Sequence, residues 1–343
     1  MAQNSTPAIP EWRDLYEAAI EFKKLGAWNW MWDSDIFGVQ NPESGEVGYC
    51  CIMGRLGQHF ALAVYPGTEG LEGYFKMREL SRDPLEAFHL QKCLMVSFED
   101  RSSLQNRDLR VIEALGLKFR GQNSWPVFRN YLPGYHPWFL TGAEARYLTL
   151  VIYQAMDVSL RFKNNPKMLN SEENRYLVRV PVREGEGLKW RDEWLEPGAF
   201  EKAEIISEPI DELRLERIKR AIPRQVGVWE VDFFYLYRPV QVRKEERPYY
   251  PYMMLWVDHD SGFIFNTHIA KAQKSRRELI EQSLKTIEDT KFLPGEILVR
   301  KEETFGLLKP VVSRLGIKLK RVRRLPELDR AKNSMFRELG FRR

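Results

Sequence analysis

The residues best suited to chemistry in the N-terminal half are Trp30, Asp33, Asp35 and His59. Acids beside aromatic rings suit a sugar, a base or a cationic ligand, so these four are a candidate ligand pocket. The same residues could equally serve as core tryptophans and turn-capping aspartates. The chain has five His, at 59, 89, 136, 259 and 268, with no HxH or HExxH spacing, so no zinc site is signalled. His259 stands between Asp258 and Asp260, where Asp-His-Asp could hold a cation or simply build a turn. Of three cysteines, Cys50 and Cys51 are adjacent. On a strand they point to opposite faces and cannot share one metal, so buried thiols are expected. Gly54-Arg55-Leu56-Gly57 falls between two expected strands and is therefore not a phosphate loop. Walker, GxSxG and kinase signatures are missing, which excludes the enzyme classes that need them.

The C-terminal half carries the charge. From Ile317 to Arg343 there are ten Lys or Arg against three acids, more than the net +5 of the whole chain. Lys318, Lys320, Arg321, Arg323 and Arg324 are the densest run, and a strand there would put Lys318 and Lys320 on one face and Arg321 and Arg323 on the other. If phosphate is bound anywhere, these five residues are the candidate nucleic-acid contacts. Interspersed acids also fit a solvated face.

These residues need elements to hold them. At 343 residues, with 43% hydrophobic and 29% charged residues, the chain suits two globular cores. Trp12, Leu15, Ala19 and Phe22 mark an amphipathic helix from Pro10 to Leu25, stopped by Gly26. Trp28, Trp30 and Trp32 alternate like a short strand. Strands are expected at Val47–Met53, His59–Tyr65, Leu94–Phe98 and Pro126–Tyr131. Helices are expected from Thr68, from Asp83 with Pro84 at its first position, over Ser103–Leu115, and from Thr141 to Lys163. Tyr147–Leu160 is interrupted by Gln154 and Asp157, so it reads as a buried helix and not a membrane span. Met1–Pro10 is polar and has no secretory pattern, and a reducing cytoplasmic setting is expected.

Three segments follow: an α+β domain over 1–170, a β-hairpin and charged helix as connector over 171–222, and a C-terminal domain over 223–343. The last reads β-β-β-α-β-α-β-α, with strands at Val226–Tyr237, Tyr252–Asp258, Phe263–Ala270, Gly295–Arg300 and Ile317–Val322. Three meandering strands followed by alternating helices and strands make a mixed α/β sheet flanked by helices.

This order, with Trp229-Glu230-Val231-Asp232-Phe233 and the Leu255–Ile264 hairpin, resembles the ribonuclease H-like fold of nucleases, transposases and retroviral-type integrases. The resemblance covers about Gln225 to Leu339. It implies a catalytic Asp in mid-strand, matched by Asp232, and carboxylates holding two divalent metals, with Mg as the cofactor if the chain is a nuclease. The second acid is expected at the end of the fourth strand, where the chain reads Leu298-Val299-Arg300-Lys301-Glu302. A cation there repels a metal, so Glu302 or Glu303 would have to substitute, with Glu327 or Asp329 as the third acid. The Trp28–Val39 and Gly48–Gly54 segments are similar to a group of bacterial proteins that pair such an N-terminal domain with a C-terminal domain of unknown function.

The function expected is therefore a non-catalytic binding or interaction protein with no cofactor, whose partner is nucleic acid or another protein. The alternatives are a divalent-metal nuclease and a small-ligand protein acting through the Trp/Asp cluster. No membrane partner is expected, and oligomeric state is not readable.

Overall fold

The computed structural model describes residues 6–79, 89–170, 174–185, 187–198, 211–271 and 275–338. The helix expected from Asp83 lies outside these residues. The chain divides into two compact units, Met1–Pro133 with Pro137–Glu201, and Gly134–His136 with Lys202–Arg343.

The first unit is built on strands β1 (Phe37–Gln40), β2 (Val47–Met53), β3 (Phe60–Pro66), β4 (Cys93–Glu99), β5 (Trp125–Tyr131), β6 (Tyr176–Glu184) and β7 (Gly187–Leu195). Their spatial order is β5-β4-β3-β2-β1-β6-β7. All neighbours are antiparallel except β1 and β6, which pair parallel through Gly38–Val178 and Val39–Arg179. Helices α1 (Ile9–Leu25) and α4 (Gly142–Asn164) bury their apolar stripes on one face, with Trp12, Leu15, Ala19 and Phe22 in the main core. Between them in sequence run α2 (Gly67–Glu79) and α3 (Asn106–Ala114). Leu71 and Tyr74 of α2 pack on the opposite face.

Thr141 caps α4. Its hydroxyl accepts from the Glu144 N–H at 3.3 Å, and the Glu144 carboxylate accepts from the Thr141 N–H at 2.7 Å. The Tyr147 side chain of α4 lies directly on β2, where a Cβ on Gly48 would fall 2.2 Å from its hydroxyl. That hydroxyl donates to the Val39 carbonyl at 2.7 Å. Cys50 and Cys51 fall in the two different cores, on opposite faces of β2. All three cysteines are buried and free. Burial pushes each thiol up, so none is a thiolate nucleophile at neutral pH.

Two expectations change. The alternating tryptophans do not form a strand: Ala27–Asn29 is a single 3-10 turn. Gly26, at φ 65°, ends α1 in the left-handed region, and Asn29 N–H and Trp30 N–H bond back to Gly26 and Ala27. The three indoles then go to three places. Trp28 enters the core against Phe22, Phe60 and Phe98, Trp30 leans on α4, and Trp32 is 47% exposed. The second change concerns the hairpin β6–β7, expected as a connector. It is hydrogen-bonded into the first sheet, because β1 pairs with β2 on one side only and its other side is taken by β6. The charged helix of the same segment, α5 (Glu212–Ala221), instead sends Leu215 and Ile218 into the core of the second unit.

The second unit contains β8 (Val228–Tyr235), β9 (Pro251–Asp258), β10 (Ile264–Lys271), β11 (Glu296–Val299) and β12 (Lys318–Arg321). It also has α6 (Ser275–Thr290), α7 (Glu302–Arg314) and α8 (Pro326–Glu338). The order is β10-β9-β8-β11-β12. The first three strands form an antiparallel meander, and β11 and β12 run parallel to β8. This is a mixed α/β sheet with the ribonuclease H-like strand order. Period-two alternation sorts β8 cleanly. Trp229, Val231 and Phe233 join one core with residues of α5, α6 and α7, while Phe234 faces Leu328 and Phe336 of α8. Among the described residues no helix is long and apolar enough to cross a membrane.

Candidate functional site

The same alternation puts Glu230 and Asp232 beside Phe234 on the face that α8 covers. Both carboxylates have no solvent exposure. A buried acid is tolerated only with partners, and each of these has them. Asp232 Oδ2 accepts from Arg300 Nη2 at 2.6 Å, and Asp232 Oδ1 accepts from the Phe233 N–H at 2.9 Å. Arg300 Nη1 also reaches both oxygens of Asp329 on α8, at 3.0 and 3.2 Å. Burial alone would depress the Arg300 guanidinium, but Asp232 and then Asp329 outweigh it and hold its pKa above the ordinary value. Lys301, next along, donates to the Phe233 carbonyl at 2.7 Å. The β11–α7 connection thus delivers two cations to the centre of the sheet.

Glu230 has a separate job. Oε2 accepts from the Leu328 backbone N–H at 2.8 Å, in the first turn of α8, where orphan donors and the helix dipole favour an anion. Oε1 contacts His259 Nδ1 at 2.6 Å. That hydrogen bond raises the His259 pKa above its ordinary value, with the charges of Glu230, Asp260 and Glu327 adding to it. Glu230 was not among the expected site residues. Its signal was there: a second acid two residues from Asp232, on the same face of an apolar strand.

The other expected residues do not converge. Glu302 is exposed in the first turn of α7 and pairs with Arg321. Glu303 is exposed and lies near Tyr235, whose hydroxyl burial and the Glu303 charge push up to about 12. Of the proposed acids, only Asp232 and Asp329 meet, with Arg300 between them. The arrangement does not fit a pair of divalent cations. A guanidinium already takes one oxygen of Asp232 and both of Asp329, and like charges repel. Among the described residues no group of three or more His, Cys, Asp or Glu could hold a metal ion. In the Asp258–Gly262 turn, Asp258 Oδ2 accepts from the Ser261 N–H at 2.9 Å and its hydroxyl at 2.6 Å, so this acid builds the turn.

Lys318, Lys320, Arg321, Arg323 and Arg324 are all exposed, on or just after the edge strand β12. Lys318 faces Glu296 at 3.4 Å and Arg321 pairs with Glu302. Among the described residues Lys320, Arg323 and Arg324 have no carboxylate partner.

In the first unit the four candidate pocket residues keep separate partners. The Trp30 indole donates to the Ser159 carbonyl at 2.8 Å and lies under Lys163. Asp35 Oδ2 accepts from the Trp32 N–H at 2.7 Å. The Asp33 backbone carbonyl accepts from the Tyr74 hydroxyl and the Cys51 thiol. His59 is an exposed neighbour of Glu99, 3.8 Å away. These are the roles of core packing and turn capping.

A ribonuclease H-like unit with an arginine-filled carboxylate centre, preceded by an α+β unit, is the class of protein defined here. Residues 12–179 match the family model of a domain of unknown function, DUF7309. Residues 214–336 match that of a second domain of unknown function, DUF6930. The two matches cover separate, consecutive parts of the chain. No curated protein matches it. Among solved structures it is similar to the HTLV-2 integrase catalytic core domain in complex with magnesium (dimeric form), at 18% identity over 34% of this chain and 72% of that one, TM-score 0.25. It is also similar to a chain of the simian T-cell lymphotropic virus intasome in complex with PP2A regulatory subunit B56 gamma, at 15% identity over 34% and 44%, TM-score 0.26. The Mos1 transposase paired-end complex with left transposon end overlaps at 9% identity over 54% and 60%, TM-score 0.22. The strand order β10-β9-β8-β11-β12, with β11 and β12 parallel to β8 and β9 antiparallel to it, is by itself the ribonuclease H-like arrangement.

Proposed function

We propose that this chain is a non-catalytic nucleic-acid-binding protein, in which the ribonuclease H-like sheet is a scaffold and β12 with its flank is the binding edge. The observation that carries the reading is the Arg300 guanidinium bonded to Asp232 and Asp329. The guanidinium offsets the charge of both carboxylates and repels a divalent cation brought between them, so the pair is poorly placed to gather two metals around a phosphate. The exposed edge supports the second half of the reading. Side chains two apart on a strand recur about every 6.6 Å, a spacing at which successive cations can follow a phosphate backbone. Lys320, Arg323 and Arg324 have no acid partner among the described residues to compete with phosphate.

The test is fluorescence anisotropy with a labelled single strand and a labelled duplex at two salt concentrations. Binding should weaken steeply with salt, by a log–log slope of roughly −0.7 to −0.9 per phosphate contacted. The variant K320E/R323E/R324E should lose it. Salt-independent binding, or binding that survives this variant, overturns the edge assignment. Cleavage of either substrate with Mg2+ or Mn2+ that disappears in Asp232→Asn overturns the non-catalytic reading.

A further inference from the structure

Where β4 ends and β5 begins there is an open cavity of about 550 Å³, lined by Asp100, Arg101, Ser102, Arg120, Gln122 and Trp125 among others. It is a shallow depression wide open to solvent, so a ligand there is held by its polar and ring contacts and not by enclosure.

Its walls are fixed before any ligand arrives. Trp125 opens β5 opposite Glu99 of β4, and its ring packs against Phe119 with centroids 5.6 Å apart. The loop leading to it is tied at three points. Lys23 of α1 donates to the Asn123 carbonyl at 2.6 Å and to the Ser124 hydroxyl at 2.9 Å, and the Asn123 N–H donates to Asp100 Oδ1 at 2.8 Å. Asn123 sits at φ 50°, a left-handed conformation that Asn tolerates better than most residues. A loop held this firmly at its base presents a preformed surface, which lowers the ordering cost of binding.

The chemistry of that surface is specific. The Arg101 guanidinium lies over the Trp125 ring, 5.9 Å from its centroid, at the outer limit of a cation-π contact. Arg120 lines the same space and is exposed. Among the described residues neither Arg101 nor Arg120 has a carboxylate partner. Asp100 is the one acid at the cavity, and one of its oxygens is engaged by the loop backbone. Two guanidinium forks can grip phosphate oxygens, while the half-buried Trp125 indole offers a ring against which a base can pack. The Ser102 hydroxyl and Gln122 amide line the same space and can bond to a ring edge or ribose.

We propose that this cavity binds a nucleoside phosphate, with the phosphate on Arg101 and Arg120 and the base against Trp125. The ligand is either a free nucleotide or one nucleotide of a strand; the shared chemistry is a phosphate tethered to a planar base. The site is independent of β12, and AMP is too small to need that edge.

Titration calorimetry on the full chain tests this with AMP, inorganic phosphate and oligothymidylate. AMP or the oligonucleotide should bind saturably below about 1 mM. In R101A/R120A the affinity should fall about tenfold or more, the loss of at least one charge-assisted bond. Trp125→Leu should weaken AMP while leaving inorganic phosphate unchanged. AMP binding lost in R101A/R120A assigns a free nucleotide. Oligothymidylate binding without AMP binding, lost in the same variant, assigns a strand. Three results overturn the proposal: no saturable binding of AMP or oligothymidylate, binding that survives R101A/R120A, or inorganic phosphate binding as tightly as AMP. Both arginines are exposed, and an unchanged melting temperature confirms that the double variant is folded.

Discussion

At the scale of single residues, Arg300 decides how the second unit is understood. It was visible in sequence only as a cation at the end of a strand where an acid was expected. Its bond to Asp232 follows from β11 lying beside β8, and its bond to Asp329 from α8 crossing that face. Breaking a buried pair from one side costs more than the pair is worth, because the remaining charge stays in place. Arg300→Ala should therefore lose about 3–5 kcal/mol of stability, read from urea denaturation. R300A/D232N should lose less than R300A alone, since no uncompensated carboxylate remains. Removing the guanidinium also leaves Asp232 and Asp329 facing one gap, a hard-oxygen setting. Millimolar Mn2+ should then raise the melting temperature of R300A and leave that of the parent protein where it was. A parent protein equally stabilised by Mn2+ would mean that the arginine does not stand in for a cation.

At the scale of elements, α8 is clamped to β8 by Glu230 as well as by the arginine bridge. Glu230 bonds the first turn of the helix and His259 at once. His259 titrates above its ordinary value in the folded chain because it gains this partner. The stabilisation is present in full below the unfolded value near 6.5, and it is lost as pH rises through the raised folded value. Amide exchange in α8 should accordingly speed up relative to the other helices as pH is raised across that window, after correction for intrinsic rates. In His259→Gln that extra pH dependence should vanish; if it persists, another group governs the helix. Most elements were legible because their signals are local. Gly26 ends α1, Thr141 begins α4, and alternation marks β8. The tryptophan run misled because period two in aromatics does not require an extended backbone when a left-handed glycine stands just before it. The candidate pocket around Trp30 misled for a related reason: sequence proximity of Asp33 and Asp35 reflected a turn, while His59 had another neighbour. The clamp itself was not legible, because it joins β8 to a helix about a hundred residues away.

At the scale of the whole molecule, the division of the chain depends on a pairing no local pattern announces. β6 completes the first sheet through β1, so a polypeptide ending at Asn170 leaves β1 with an open edge, whereas one ending at Glu201 keeps the sheet whole. The longer piece should give a cooperative melt and dispersed amide resonances, and the shorter should aggregate, as exposed edges do. If the shorter piece folds equally well, the hairpin is an appendage and not a structural strand. The β1–β6 pairing also bears on how the chain is made. Its two partners, Gly38 and Val178, are some 140 residues apart. At roughly 5–20 residues per second of synthesis, β1 waits on the order of ten seconds for its neighbour. During that time the nascent sheet presents an unfinished border to everything around the ribosome. A topology with so long a closure folds slowly for entropic reasons as well. The four-residue length of β1 shortens that border, limiting what a passing strand could seize before the native one arrives.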